Sequence, residues 1–403
     1  MKKADTVLVT VTGRDKPGVT FALMSILSQH DAVLLDVQQV VIRGRLILTA
    51  LIERLPQCGE LVTDIENGMA ALGMDADIEI GSDPVGSGYT ATHTVLILGR
   101  PITAETFSRI AGTLADLGAN IASIKGVADY PVTGIALQIV ARNASGERIS
   151  GIRTALASLA TELGVDISFE PDEYARRAQR LIVFDVDSTL IQGEVIEMLA
   201  AHAGKEAEVK EITDRAMRGE IDFAESLRER VATLQGLPAS IIKEVSDSIV
   251  LTPGARTTIR TLKHLGFKCG VVSGGFNQVI APLAEDLELD FMRANELDIK
   301  DGVLTGKVNG AIVDRAGKAA ALKEFAERER VSLSQTVAVG DGANDIDMLK
   351  AAGMGIAFNA KPALRTVADN SVNFPYLDEV LFMLGVTRSQ IVAVNGCLLY
   401  TSD

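Results

Sequence analysis

One order of hydrophobic patterns occurs twice in the first 170 residues, so this part of the chain is read as repeated modules before anything else. Thr6 to Gly13 alternates as a strand, and Val19 to Ser28 carries apolar residues at helical spacing. Two extended runs follow, Val33 to Ile42 and Leu46 to Ile52, separated by Arg43, Gly44 and Arg45, a hairpin signal. A helix from Glu60 to Leu72 and a strand from Asp75 to Ile80 complete β-α-β-β-α-β. The order then recurs: strand Thr94 to Gly99, helix Ala104 to Leu117, strands Asn120 to Val127 and Gly134 to Val140, helix Arg148 to Leu163, strand Val165 to Phe169. Between the copies, Gly81 to Gly88 (GSDPVGSG) has the composition of a linker. The pattern predicts two ferredoxin-like modules, over residues 1–82 and 90–171.

Beyond Pro171 and a charged connector the architecture changes. Leu181 to Phe184 is a short, wholly apolar run, as expected of a strand buried on both faces. Similar runs at Cys269 to Val272, Thr336 to Val339 and Met354 to Phe358 alternate with helical segments, which predicts a parallel, Rossmann-like sheet with crossover helices over residues 180–396. A mostly helical insert at about 191–252 interrupts this alternation and reads as a cap. The last residues, 397–403, fit no element and are expected to be a tail foreign to the domain.

Charge narrows the function. Lys and Arg number 39 against 53 Asp and Glu, a net charge of −14 with no compensating basic run, which argues against nucleic-acid or anionic-membrane partners. No stretch approaches a membrane span. The amino terminus reads as a strand and not as a signal peptide, so a cytoplasmic protein is expected. The cysteines Cys58, Cys269 and Cys397 are scattered and odd in number, which predicts neither a zinc site nor a disulfide framework. The four histidines show no ligand spacing.

Ligands of a parallel sheet gather at the carboxyl ends of its strands. There the chain places Asp185, Val186, Asp187, Ser188 and Thr189; Ser273, Gly274 and Gly275; and Asp341, Gly342, Ala343, Asn344 and Asp345, with Lys318 near the start of a helix. Four carboxylates, a hydroxyl and a lysine are thus expected to face one crevice. Crowded carboxylates repel unless a cation sits among them, and oxygen ligands suit Mg²⁺, which favours phosphate-bearing partners. A carboxylate can attack phosphorus, and a second acid two residues on can protonate the leaving oxygen and later activate water.

In this order DVDST, SGG, Lys318 and GDGAND resemble the haloacid dehalogenase superfamily of aspartate-dependent phosphotransferases, and in detail its phosphoserine phosphatases. The amino-terminal repeats resemble tandem ACT modules. The resemblance implies a haloacid dehalogenase-like catalytic domain with a helical cap that hydrolyses O-phospho-L-serine through an aspartyl-phosphate, the last step of L-serine biosynthesis. It makes Asp185 nucleophile and metal ligand. It makes Asp187 the acid/base, giving Mg²⁺ its backbone carbonyl, and Asp341 the other ligand, with Asp345 in support. Ser273, Gly274 and Lys318 would hold the phosphoryl group, with Asn344 beside it. In the cap, Glu194 would meet the substrate ammonium and Arg230 its carboxylate, while Met217 and Phe223 match apolar cap positions. The ACT likeness implies a homodimer and an amino-acid effector, with serine the expected one, near Asp15 and Gly18. The second copy lacks the Pro-Gly pair of the first, so the two are expected to be unequal.

Taken singly these features have plainer readings. Asp185 and Asp187 alone suit a turn or helix cap, Ser273 to Gly275 a strand-to-helix turn, and Lys318 a solvated helix lysine. Glu194 and Arg230 lie among many cap charges, Met217 and Phe223 could be core, and the loop Gly13 to Val19 is equally a tight turn. Two rivals to hydrolysis remain: transfer of the phosphoryl group to another alcohol, and an amino-acid sensor with a vestigial catalytic domain.

Overall fold

The computed structural model describes residues 6–53, 58–81, 91–129, 131–141, 146–171, 180–217, 220–360, 362–365, 368 and 370–396. The chain forms two compact units, 1–90 and 91–403. The suspected tail at 397–403 lies outside the described residues.

The first unit runs β1 (Thr6–Arg14), α1 (Val19–Gln29), β2 (Leu34–Ile42), β3 (Arg45–Glu53), α2 (Cys58–Ala71) and β4 (Asp75–Gly81), with sheet order β2-β3-β1-β4. Alternation does the work: Val7, Val9 and Val11 of β1 and Leu48, Ala50 and Ile52 of β3 are buried with Leu23, Leu27 and Ile65 of the helices. The predicted hairpin turns at Arg43 and Gly44, both left-handed (φ 51° and 76°), the geometry that matches strand twist. Edge strand β2 is exposed along its whole length, apolar residues included.

The second unit begins with the same order: β5 (His93–Gly99), α3 (Ala104–Asp116), β6 (Asn120–Ala128), β7 (Thr133–Val140), α4 (Gly146–Leu163) and β8 (Asp166–Pro171), arranged β6-β7-β5-β8. Strand β5 is apolar on both sides because both are covered. Val95 and Ile97 pack with Ile110 and Leu114 of α3, while Leu96 and Leu98 share a cluster with Ile182, Leu377 and Val380 of the carboxyl-terminal part. Strand β8 faces that part with alternate polar residues. Asp166 accepts from the backbone N of Asn373 (2.8 Å), Ser168 donates to Asn370 Oδ1 (2.6 Å), and Asn370 donates to Glu170 Oε1 (2.7 Å).

The carboxyl-terminal sheet has the order β12-β11-β10-β9-β13-β14-β15. Its strands are β9 (Leu181–Phe184), β10 (Lys268–Phe276), β11 (Phe291–Lys300), β12 (Val303–Asn309), β13 (Thr336–Gly340), β14 (Met354–Phe358) and β15 (Asn370–Val372). The chain departs from β9 to β10 on one side and reaches β13 on the other, so β9 is a switch point where a crevice must open. Two expectations are corrected. Ser273 to Gly275 are no turn after a strand: β10 continues through them to Phe276, where pairing with β11 resumes after an irregularity. The sheet is also not wholly parallel, for β11 and β12 form an antiparallel hairpin.

The cap insert contains α5 (Val195–Ala203), α6 (Glu206–Met217), α7 (Phe223–Ala232) and α8 (Ser240–Ser248). It is tied at its base, where Ile191 pairs with Leu251 and the N–H of Thr252 donates to Leu190 O (3.0 Å). A second tie lies at its far side, where Pro238 pairs with Val303 and the N–H of Leu304 donates to Leu237 O (2.9 Å).

Candidate active site

Asp185 follows β9 directly, and its N–H is held by Val339 O of β13 (2.8 Å). The chain then makes one wide turn, Val186–Leu190, in which Ser188 takes a left-handed conformation (φ 56°), a strained backbone of the kind found where function needs it. That turn brings Asp187 back beside Asp185. Its carboxylate accepts from the N–H of Val195 at the start of α5 (2.8 Å) and from the Ser273 hydroxyl (3.0 Å). The Ser273 oxygen in turn accepts from Gly275 N (2.7 Å).

Lys318 lies on α9 (Arg315–Glu329) and is wholly buried, its Nζ donating to Asp185 Oδ1 (2.6 Å) and Asp345 Oδ1 (2.7 Å). Asp345 also accepts from Gly342 N (3.0 Å). Burial would lower the Lys318 pKa, but the two carboxylates outweigh it and hold the ammonium charged. Burial, and then the neighbouring Asp345, push Asp185 well above the ordinary carboxylate range, with Lys318 opposing. Burial also raises Asp187, against its hydrogen bond from Val195.

Carboxylate oxygens of Asp185, Asp341 and Asp345 lie within 4.8 Å of one another. Four acids here face one buried ammonium, and a hard cation among oxygen donors offsets that surplus, so these residues fit a divalent metal.

Above this floor opens a cavity of about 640 Å³, the size of a small-molecule site. Asp185, Asp187, Gly274, Asp341 and Asn344 line it from the sheet, and Glu194, Phe223 and Arg230 line it from the cap. The expectation that four carboxylates, a hydroxyl and a lysine face the crevice is corrected. Asp345, Ser273 and Lys318 lie beneath the lining, where the ammonium's charge is met by two carboxylates and needs no solvent. Phe223 covers Gly274 so closely that a Cβ there would lie 3.1 Å from its ring. Arg230 is 8% exposed, and burial lowers its pKa while Glu194 and Asp187 oppose. Met217 ends α6, and its side chain lies outside the described residues. In the first unit, Asp15 is exposed and Gly18 starts α1 with φ 97°.

ACT-domain profiles match residues 5–80 and 91–170, and a haloacid dehalogenase-like hydrolase profile matches 182–350. Phosphoserine phosphatase SerB2 of Mycobacterium tuberculosis is 56% identical over 393 residues, 97% of this chain and 95% of that protein. The phosphoserine phosphatase of Streptomyces coelicolor is 50% identical over 97% of this chain and 94% of its own. The chain belongs to the phosphoserine phosphatase family. Solved structures agree: a probable phosphoserine phosphatase from Vibrio cholerae (31% identity, TM-score 0.55) covers 75% of this chain and 88% of its own. A haloacid dehalogenase family hydrolase from Salmonella enterica serovar Typhi (28% identity, TM-score 0.63) covers 72% and 98%.

Asn295, Ser226 and Arg315 are among the contributors to this site that the sequence does not single out. Asn295 of β11 donates to Gly274 O (2.8 Å) and accepts from Val313 N (2.8 Å), so it fixes the Gly274 backbone. Ser226 and Arg315 line the cavity. Asn295 lies in the hairpin that was not foreseen, and Ser226 sits in a helix whose inward face only the fold defines.

Proposed function

We propose that this chain hydrolyses O-phospho-L-serine to L-serine and phosphate. The observation that carries the reading is a single cavity with two carboxylates at its floor, Asp185 and Asp187, and an acid and a base at its roof, Glu194 and Arg230. The phosphoryl group is read by the floor and the amino-acid end by the roof.

Asp185 attacks phosphorus while Asp187, protonated, gives its proton to the departing serine oxygen. The P–O bond to serine breaks as the bond to Asp185 forms, leaving an aspartyl-phosphate. Asp187, now a carboxylate, takes a proton from the water that attacks this intermediate, and phosphate leaves with both acids restored. Lys318 keeps Asp185 oriented and offsets charge, Ser273 orients Asp187, and the Gly274 backbone and Asn344 border the phosphoryl group. Arg230 forks onto the substrate carboxylate and Glu194 accepts from its ammonium. Phe223 shields the site from water. Asp185, Asp341 and the Asp187 carbonyl would hold Mg²⁺, with Asp345 behind them. When bound, the ion neutralises charge on the phosphoryl oxygens.

Regulation is part of the same reading: the ACT modules take an amino acid, serine in this reading, with the loop from Asp15 to Gly18 as its receiving edge. The protein is read as a cytoplasmic homodimer. The test is Mg²⁺-dependent phosphate release from phosphoserine, with and without free L-serine. Turnover is expected in the native chain and a loss of at least a thousandfold in Asp185→Asn, about 4 kcal/mol of barrier. Absence of Mg²⁺-dependent release overturns the activity, and a rate indifferent to serine overturns the regulation.

A further inference from the structure

One face of α7 lines the cavity with Phe223, Ser226, Leu227 and Arg230, the spacing of a single helical stripe. Phe223 covers Gly274, and Arg230 is the buried cation two turns further on. Ser226 stands between them and is 2% exposed.

A serine inside a helix ordinarily returns its hydroxyl to the carbonyl one turn back. Thr213, which also lines the cavity, does this to Val209 O (2.9 Å). Ser226 does not. Asp222 O receives its backbone N–H (2.9 Å), and among the described residues its hydroxyl has no hydrogen-bond partner. Nor is that oxygen sealed among the buried unsatisfied atoms, so it opens to the cavity. Arg230 shows the complementary pattern. Its Nε donates to Ser226 O (3.4 Å), and among the described residues its two terminal nitrogens make no hydrogen bond. A hydroxyl and a guanidinium on successive turns are therefore both unspent toward the same space.

We propose that Ser226 is a specificity-determining residue whose hydroxyl donates to the substrate carboxylate that Arg230 holds. This rests on the phosphoserine reading above. A carboxylate offers about four lone-pair positions, of which a guanidinium fork takes two, so a hydroxyl beside the fork has an acceptor waiting. Ser226 thereby makes the pocket tell an amino-acid phosphate from the corresponding phosphorylated amine.

The test compares phosphoserine with phosphoethanolamine, which keeps the ammonium and lacks the carboxylate, using the full chain. In Ser226→Ala the KM for phosphoserine is expected to rise about tenfold, as for loss of a hydrogen bond to a charged group, with kcat within about twofold. The constant for competitive inhibition by phosphoethanolamine is expected to stay unchanged. Ser226→Thr, which keeps the hydroxyl, is expected to restore most of the loss. An equal rise for both ligands, or no rise for either, overturns the inference: the first assigns Ser226 to cap packing or to the ammonium, the second to no contact. A native chain without phosphoserine turnover refutes the function itself; native turnover with an indifferent variant refutes only the role of Ser226.

Discussion

Gly340 ends β13 with no space for a side chain: a Cβ there would lie 2.4 Å from Asp345 Cγ and 2.6 Å from its Oδ2. Asp345 cannot retreat, being held by Lys318 and by Gly342 N. Gly340→Ala is therefore expected to push Asp345 off the ammonium, cutting phosphate release by more than tenfold at a cost of about 1–3 kcal/mol in stability. Parallel activity assays and urea unfolding check this, and full activity in a folded variant would show that the floor tolerates displacement. The floor was legible in the sequence because Asp185, Asp187, Asp341 and Lys318 carry their chemistry in their residue types and order. Which of them touch solvent was not legible. Lys318 reads by itself as a surface lysine, and only the approach of Asp185 and Asp345 makes its burial tolerable.

Among the elements, the βαββαβ repeats and strand β9 were legible because alternation and continuous apolar runs report burial on one face or two. The hairpin β11–β12 was not. Its Asp301-Gly302 pair is a strong turn signal and both residues are left-handed (φ 51° and 75°), but β11 buries residues irregularly and matches neither template. Strand β2 presents the opposite problem, a regular strand whose residues are exposed throughout. Val37, Val40, Val41 and Ile42 are 41–58% exposed along an unpaired edge, which invites pairing with another chain. Light scattering of the native protein is expected to give a dimer, and Val40→Lys with Ile42→Lys is expected to shift it toward monomer. A native monomer would refute the proposed assembly.

At the scale of the whole molecule, the second ACT module and the catalytic sheet close over a buried acid. Glu379, on α10 (Glu379–Met383), has no solvent exposure, and among the described residues neither carboxylate oxygen has a hydrogen-bond partner. Burial, then Asp166 of β8 and Asp378, push it up to about 9 from 4.5, with Arg388 opposing. Asp166 is itself raised to about 6, chiefly by burial. A raised acid binds its proton more tightly when folded, so the stability it confers is lost as pH rises from about 4.5 toward 9. Glu379→Gln should be more heat-stable than the native chain by at least a few degrees at pH 8 and nearly equal to it at pH 5. Matching pH slopes in a thermal-shift series would refute this. The two modules also share side chains, since Leu96, Leu98 and Val132 lie in one cluster with Leu377 and Val380. Each such leucine is worth about 2 kcal/mol of burial, and the Asp166, Ser168 and Glu170 contacts add direction. Were the chain cut between them, the two pieces would stay together. The boundary after Pro171 is therefore a boundary in the pattern of the chain and not in its mechanics.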